Sequence, residues 1–83
     1  MLANRKKQAE AGDPEAQLQL YYGNTHSPDA LKWLCRSADQ GQSHAQNEIA
    51  SLYWKGRKGV NRDLTRAYLW YSLAARNGHV EYQ

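Results

Sequence analysis

At 83 residues, of which 41% are apolar, the chain is long enough for one small domain and too apolar for a disordered tail. Eleven Lys and Arg against eight Asp and Glu give a net charge of +3, which suits an acidic partner without requiring nucleic acid. The single cysteine excludes an internal disulfide, and no apolar run approaches the roughly 20 residues that span a bilayer.

Capping signals and a low β propensity predict helices and no sheet, because the chain contains only three Val or Ile residues. In chain order, the predicted helices cover residues 2–11, 14–22, 28–40, 43–55 and 64–77. N-cap signals stand at the start of the last four: Asp13 before Pro14, Ser27 before Pro28, a capping box of Ser43 with Gln46, and Asp63. Glycine stands where three helices should end with positive φ, at positions 12, 41 and 78.

The second half of the chain repeats the first. The three closing glycines are 29 and then 37 residues apart, and the alanine step inside each unit grows from 14 residues (Ala16 to Ala30) to 22 (Ala45 to Ala67). The glycine spacing and the alanine spacing both increase by eight residues from the first unit to the second. This agreement predicts that the first unit lacks eight residues of the loop between its helices. The chain therefore reads as a capping helix (1–12), a short repeat (13–41), a full repeat (42–78) and the start of a further helix (79–83), which predicts a solenoid.

The 3.6-residue period of a helix predicts which side chains form the core. Small residues let paired helices approach closely, and aromatic residues fill the space between layers. The predicted core comprises Ala16, Leu20, Ala30, Trp33, Leu34, Ala45, Ile49, Leu52, Tyr53, Ala67, Trp70, Tyr71 and Ala74.

A specific pattern lies in the second unit. It consists of residues 45–56, Gly59-Val60-Asn61-Arg62-Asp63, Ala67, Trp70-Tyr71, Ala74-Ala75 and Gly78. This pattern closely resembles the Sel-one-like repeat, a relative of the tetratricopeptide repeat, and the resemblance extends in weaker form over nearly all of the chain. It implies an all-α, right-handed α-α superhelix (solenoid) of antiparallel helix pairs, about two repeats long. It also implies an adaptor or scaffold in protein complexes.

Three features depart from this pattern. Tyr21 stands where the family and Ala50 have a small residue, so close helix contact should change in the first unit. Asn4 and Arg5 occupy apolar repeat positions, which predicts a polar N-terminal cap. Because two repeats are fewer than the roughly three that bury a continuous core, we expect either a longer solenoid or self-association through the open C-terminal end.

The outward face of the first helix of each unit is the predicted partner-binding surface. It holds Leu18 and Tyr22 in the first unit, and Asn47, Ser51 and Trp54 in the second. Apolar and aromatic side chains there would anchor a peptide or protein partner, and Asn47 would hydrogen-bond its backbone. The alternative is that these side chains only pack between neighbouring units.

A second hypothesis uses the basic residues around the long loop, Lys55 to Arg62, to bind nucleic acid or an acidic surface. Aromatic residues do not interleave with these cations, apart from Trp54, so nucleic acid is the less favoured partner and a solvated surface is the simpler interpretation. The loop glycines do not form a phosphate-binding loop, which needs a Lys followed by Ser or Thr. Val60 is expected to tuck between the helix ends.

No constellation of catalytic or metal-binding residues occurs. His26, His44 and His79 stand singly, paired carboxylates are absent, and Cys35 is expected to be a small buried apolar residue. The sequence therefore predicts no enzyme activity, no metal and no cofactor. The first eight residues lack the apolar core of a signal peptide, which favours the cytoplasm and leaves an exported form open.

Overall fold

The computed structural model describes residues 2–23, 27 and 29–78, with side chains from Arg5 onward. Over these residues the chain forms five helices and no strand: α1 (Leu2–Glu10), α2 (Pro14–Gly23), α3 (Ala30–Asp39), α4 (Ser43–Lys55) and α5 (Leu64–Arg76). Each helix packs on the next, which confirms the predicted all-helical solenoid. The predictions for Asn4, His26, Pro28, His79 and the further helix at 79–83 lie outside the described residues.

Two helices begin at the predicted aspartates. Asp13 Oδ1 accepts hydrogen bonds from the backbone N–H groups of Glu15 and Ala16, at 3.0 and 3.4 Å. Asp63 Oδ1 accepts from the N–H of Arg66 at 3.1 Å. Each carboxylate thus satisfies backbone donors that have no partner inside the first turn of a helix.

The other two starts differ from the prediction. Helix α4 is capped by Gln42, whose Oε1 accepts from the N–H groups of His44 and Ala45, so the predicted capping box of Ser43 and Gln46 is wrong. Gln42 has extended backbone and can turn its side chain back over the helix, whereas Ser43 already lies in the first turn. Helix α3 begins at Ala30, after a turn in which Ser27 Oγ accepts from the N–H of Asp29.

Glycine is required where α4 ends and the long loop begins. Gly56 adopts φ +68° and ψ +51°, and its N–H donates to the Leu52 carbonyl at 2.7 Å. A Cβ at this position would lie 3.1 Å from Cβ of Arg62, because the loop folds back over the helix end. The N–H of Asp63 donates to the Tyr53 carbonyl at 2.9 Å and closes the loop. The glycines at 12, 41 and 78 also have the predicted positive φ.

One apolar cluster joins α2, α3 and α4, with Leu34 fully buried at its centre. The alanines predicted for the core are all buried, at 3% exposure or less. Val60 packs against this cluster from the loop, as predicted, together with Tyr53 and Trp70. The remaining predicted core residues, Leu20, Trp33 and Tyr71, are only half-buried. The cluster comprises Leu18, Tyr21, Ala30, Leu34, Ala38, Ala45, Ile49 and Leu52.

A buried glutamine ties three helices together in the first unit. Gln17 is 3% exposed, and its Nε2 donates to the Ala9 carbonyl near the end of α1, at 2.9 Å. Its Oε1 accepts a 2.9 Å hydrogen bond from Nε2 of Gln40, at the end of α3. The side chain therefore satisfies a carbonyl of the preceding helix and an amide of the following one.

The second unit contains the same arrangement. Gln46 is 4% exposed, and its Nε2 donates to the Ala38 carbonyl at 3.1 Å. Its Oε1 accepts from Nδ2 of Asn77 at 2.9 Å. Sequence reasoning missed these two glutamines, although each follows the first alanine of its unit (Ala16-Gln17 and Ala45-Gln46). We use the name glutamine relay for the two hydrogen bonds by which Gln17, or Gln46, links the preceding helix to the following one.

Candidate functional site

Two aromatic side chains of the predicted partner-binding surface are exposed near the ends of α2 and α4. Tyr22 is 51% exposed and Trp54 is 52% exposed. Helices α2 and α4 meet directly, because the hydroxyl of Tyr21 donates to Oε2 of Glu48 at 3.3 Å. The candidate residues therefore lie on two helices that this hydrogen bond joins.

Asn47 and Ser51 continue this surface along α4. Together with Trp54 they are spaced i, i+4 and i+7, so they form one stripe of the helix. Both are half-buried. Oδ1 of Asn47 is buried and has no hydrogen-bond partner among the described residues. Such an orphaned acceptor typically lowers stability by about 1–3 kcal/mol.

The predicted position of Leu18 on the binding surface is wrong. Leu18 is 3% exposed and belongs to the apolar cluster that includes Ala45, Ile49 and Leu52 of α4. Leu18 therefore packs in the core and is removed from solvent. The candidate site, which we call the α2–α4 surface, therefore consists of Tyr22, Asn47, Ser51 and Trp54.

Tyr21 is buried next to Tyr22 of the α2–α4 surface. It is 2% exposed, and its ring lies edge-on to that of Tyr22, with 5.5 Å between the centroids. Its counterpart in the second unit is the small, fully buried Ala50, so the first unit buries an aromatic ring where the second buries a methyl group. Burial, reinforced by the negative charge of Glu48, raises the pKa of Tyr21 to about 12.

This raised pKa predicts a loss of stability in alkali. The folded state holds the Tyr21 proton up to a pKa of about 12, whereas the unfolded chain releases it near 10. The stabilisation is fully present below pH 10 and falls as the pH rises toward 12, by about 2–3 kcal/mol in total. Denaturant titrations across this interval should show a smaller loss for Tyr21→Phe than for the wild type. Equal pH dependence of the two proteins would contradict the assignment.

The cations of the second hypothesis surround the long loop. Lys55, Arg57, Lys58 and Arg62 are exposed, and a recess of about 440 Å³ lies between the loop and the start of α5. Arg66 lines the same recess, but Nε of its guanidinium lies 3.4 Å from Oδ2 of Asp63 and its charge is partly neutralised there.

A second recess, of about 330 Å³, opens beside the shortened connection of the first unit. In the second unit, Val60 of the long loop packs against the core. Carboxylates and ammonium groups both line this recess, so it has no single charge preference. Its lining includes Lys6, Glu10, Leu20, Asp29, Lys32 and Trp33.

Cys35 lies on the exposed side of α3, so its predicted burial is wrong. The pKa of Cys35 is raised, mainly by partial desolvation of the thiol and secondarily by the negative charge of Asp39, one helical turn further along α3. The raised pKa disfavours the thiolate. Within the described ranges, no three His, Cys, Asp or Glu residues cluster in a way that could hold a metal ion.

No helix in the described part of the chain combines the length and the apolar character needed to cross a bilayer.

Comparison with known proteins places two adjacent segments in one family. The family model of the Sel1 repeat matches residues 27–42 and 43–79. An uncharacterized protein of Neisseria meningitidis serogroup B, NMB1327, is 36% identical over 76 residues. That match covers 88% of this chain and 16% of the relative, so the chain spans about a sixth of the relative's length. No solved structure matches the chain significantly.

Proposed function

The chain belongs to the Sel1 repeat family, whose repeats are generally protein–protein interaction modules, and from this premise we propose that it is a non-catalytic adaptor. It binds a peptide or protein partner on the concave α2–α4 surface. The observation that carries this proposal is the pair of exposed aromatic side chains, Tyr22 and Trp54, on neighbouring first helices.

The chemistry of these side chains suits an extended or helical peptide. Tyrosine and tryptophan provide large, rigid contact areas, and such residues dominate the binding energy of many interfaces. The ring of Tyr22 contacts the buried ring of Tyr21 edge-on, with 5.5 Å between the centroids. The partner's apolar side chains would pack against the two rings.

Asn47 adds a polar group to this surface, two helical turns before Trp54 on α4. Its Oδ1 lacks a hydrogen-bond partner among the described residues, and rotation of the amide would present it to a backbone N–H of the bound peptide. Satisfying an orphaned acceptor on binding would add to affinity and fix the register of the peptide.

The proposal predicts that Tyr22→Ala combined with Trp54→Ala abolishes partner capture. The wild-type chain is immobilised and exposed to native lysate at low and moderate salt, with and without nuclease. Loss of two aromatic anchors should lower affinity by at least about 30-fold, equivalent to 2 kcal/mol. Leu69→Ala is the matched control, because Leu69 is 55% exposed and lies on α5, away from the α2–α4 surface.

Each result decides between the two hypotheses. A protein that survives moderate salt and nuclease, is held by the Leu69→Ala chain and is lost by the double variant would support the adaptor. Equal capture by the double variant would refute the α2–α4 surface. Binding that disappears with salt or nuclease would assign the function to the cations around Lys55–Arg62 instead.

A further inference from the structure

One asparagine of the chain is followed by glycine. Asparagine occurs at positions 4, 24, 47, 61 and 77, and only Asn77 precedes a glycine, Gly78. The backbone nitrogen of the next residue can attack the side-chain amide of an asparagine, and glycine hinders this attack least because it has no Cβ. Both residues are exposed, so water reaches them. The pair Asn77-Gly78 therefore has the greatest intrinsic tendency to deamidate in this sequence.

The structure holds this pair in an unreactive conformation. Asn77 directly follows α5 with φ −91° and ψ +14°, which turns the Gly78 nitrogen away from the Asn77 side chain. The Gly78 N–H donates to the Ala75 carbonyl at 3.2 Å. Nδ2 of Asn77 donates to Oε1 of Gln46 at 2.9 Å. Hydrogen bonds thus hold both the attacking nitrogen and the amide that it would attack.

The hydrogen bond to Gln46 is the firmer of the two restraints. The backbone at a helix end opens at a low free energy, which frees the Gly78 nitrogen. Gln46, by contrast, is 4% exposed and donates to the Ala38 carbonyl at 3.1 Å, so its Oε1 cannot follow a moving Asn77 side chain. The Asn77 amide must therefore leave Gln46 before its Cγ can approach the Gly78 nitrogen.

We propose that Asn77 is a site of spontaneous deamidation whose rate is controlled by the hydrogen bond to Gln46. Once the helix end opens, the Gly78 nitrogen loses its proton to solvent hydroxide and forms a bond to Cγ of Asn77. The Cγ–Nδ2 bond then breaks, and the leaving nitrogen takes up a proton and departs as ammonia. Water opens the resulting five-membered imide and leaves aspartate or isoaspartate at position 77. Water is the co-reactant, and the reaction needs no oxidant or reductant.

The product cannot restore the arrangement from which it forms. A carboxylate at position 77 cannot donate to Oε1 of Gln46, and its negative charge at the C-terminal end of α5 opposes the helix dipole. Isoaspartate also adds a methylene group to the backbone directly after α5. Deamidation therefore removes the link from the second glutamine relay to the residue that ends α5, in one direction and with time.

The first unit is built to avoid this reaction. Gln40 occupies the place of Asn77: it donates to Gln17 Oε1 at 2.9 Å and is also followed by a glycine, Gly41. A glutamine side chain is one methylene longer, so the ring would have six members and would close far more slowly. Asn77→Gln should accordingly abolish deamidation at this position.

Incubation of the full chain in water labelled with heavy oxygen, followed by peptide mapping at acidic pH, tests the proposal. The label marks each molecule that reacts during the incubation. The wild type should accumulate labelled aspartate and isoaspartate at position 77 ahead of its other asparagines. Gln46→Ala should accelerate this reaction by about 2- to 10-fold, the factor by which one hydrogen bond favours the restrained conformer.

Gln17→Ala is the matched control, because it breaks the same relay in the first unit and leaves the hydrogen bond between Gln46 and Asn77 in place. It should deamidate at the wild-type rate, and circular dichroism at the incubation temperature checks that both variants are folded. Equal rates in Gln46→Ala and the wild type would overturn the proposal. Equal acceleration by Gln17→Ala would also overturn it, since global unfolding would then control the rate.

A comparison within the wild type keeps the test decisive if Gln46→Ala does not fold. Asn77 should react more slowly in the folded wild type than in the same chain unfolded in urea, whereas the same rate in both states would exclude protection by Gln46. Label that enters another asparagine of the folded chain before Asn77 would overturn the assignment of the site.

Discussion

Replacing Leu34 with alanine is expected to lower the free energy of unfolding by about 2–5 kcal/mol. Leu34 is the largest aliphatic side chain with no exposed surface, and it lies in the cluster that joins α2, α3 and α4. The variant loses apolar burial and leaves a cavity that the surrounding helices can fill only in part. The free energy of unfolding of a small domain is about 0.05–0.15 kcal/mol per residue. For a chain of this length the loss is a large share of the total, so we expect a large unfolded fraction of the variant.

Leu69→Ala provides a control with the same chemical change. Leu69 is 55% exposed on α5, so its truncation should change stability by less than about 0.5 kcal/mol. Urea denaturation followed by far-ultraviolet circular dichroism measures both variants. Similar losses for Leu34→Ala and Leu69→Ala would mean that the core does not lie where the structure has it.

Replacing Gln46 is expected to have a comparably large effect, because the glutamine relay passes through this one side chain. Gln46→Ala removes the hydrogen bonds to the Ala38 carbonyl and from the Asn77 amide, at about 0.5–1.5 kcal/mol each. The Ala38 carbonyl keeps the N–H of Gly41 at 3.0 Å, and the exposed Asn77 amide can turn to water. Gln46→Glu should destabilise more strongly at neutral pH, by about 3 kcal/mol or more, because it places a carboxylate beside that carbonyl.

The pH dependence separates a lost hydrogen bond from a buried charge. Burial raises the pKa of the new carboxyl group in the folded state, so the loss in Gln46→Glu should shrink as the pH falls through that pKa and the donor returns. Gln46→Ala should show no such recovery relative to the wild type. Gln19→Glu, the same change at an exposed position of α2, controls for the added charge. A pH-independent loss in Gln46→Glu would argue against the relay.

The number and order of the helices could be predicted because capping residues and alanine spacing are local features of the sequence. Asp13 and Asp63 cap helices through their own side chains, and alanine spacing marks the buried face of each helix irrespective of distant contacts. The starts of α3 and α4 were less predictable. Gln42 competes with Ser43 for the cap of α4, and only three-dimensional geometry shows that the amide of Gln46 is engaged by α3 instead.

The binding surface was harder to predict, because one face of a first helix serves two purposes in a solenoid. Leu18 and Asn47 occupy the same repeat position, yet Leu18 is buried in the apolar cluster while Asn47 is half-buried. A helical wheel places both residues on the same face of their helices, but it does not show which other elements pack against that face. Cys35 shows the converse error, since its apolar character suggested burial on a side of α3 that faces solvent.

The long loop of the second unit leaves and rejoins the helix pair at nearly the same place, since the Asp63 N–H meets the Tyr53 carbonyl at 2.9 Å. The prediction that the first unit lacks eight residues of this loop is wrong: its connection is two residues shorter, and α2 and α3 are each three residues shorter than α4 and α5. The first unit still forms the same glutamine relay. The length of this connection can therefore vary without changing how the helices pack. Doubling its length would raise the entropic cost of closing the loop by only about 0.6 kcal/mol. An epitope or recognition sequence inserted between Lys58 and Gly59, which leaves Val60 packed against the core, should be displayed without changing the register of the repeats.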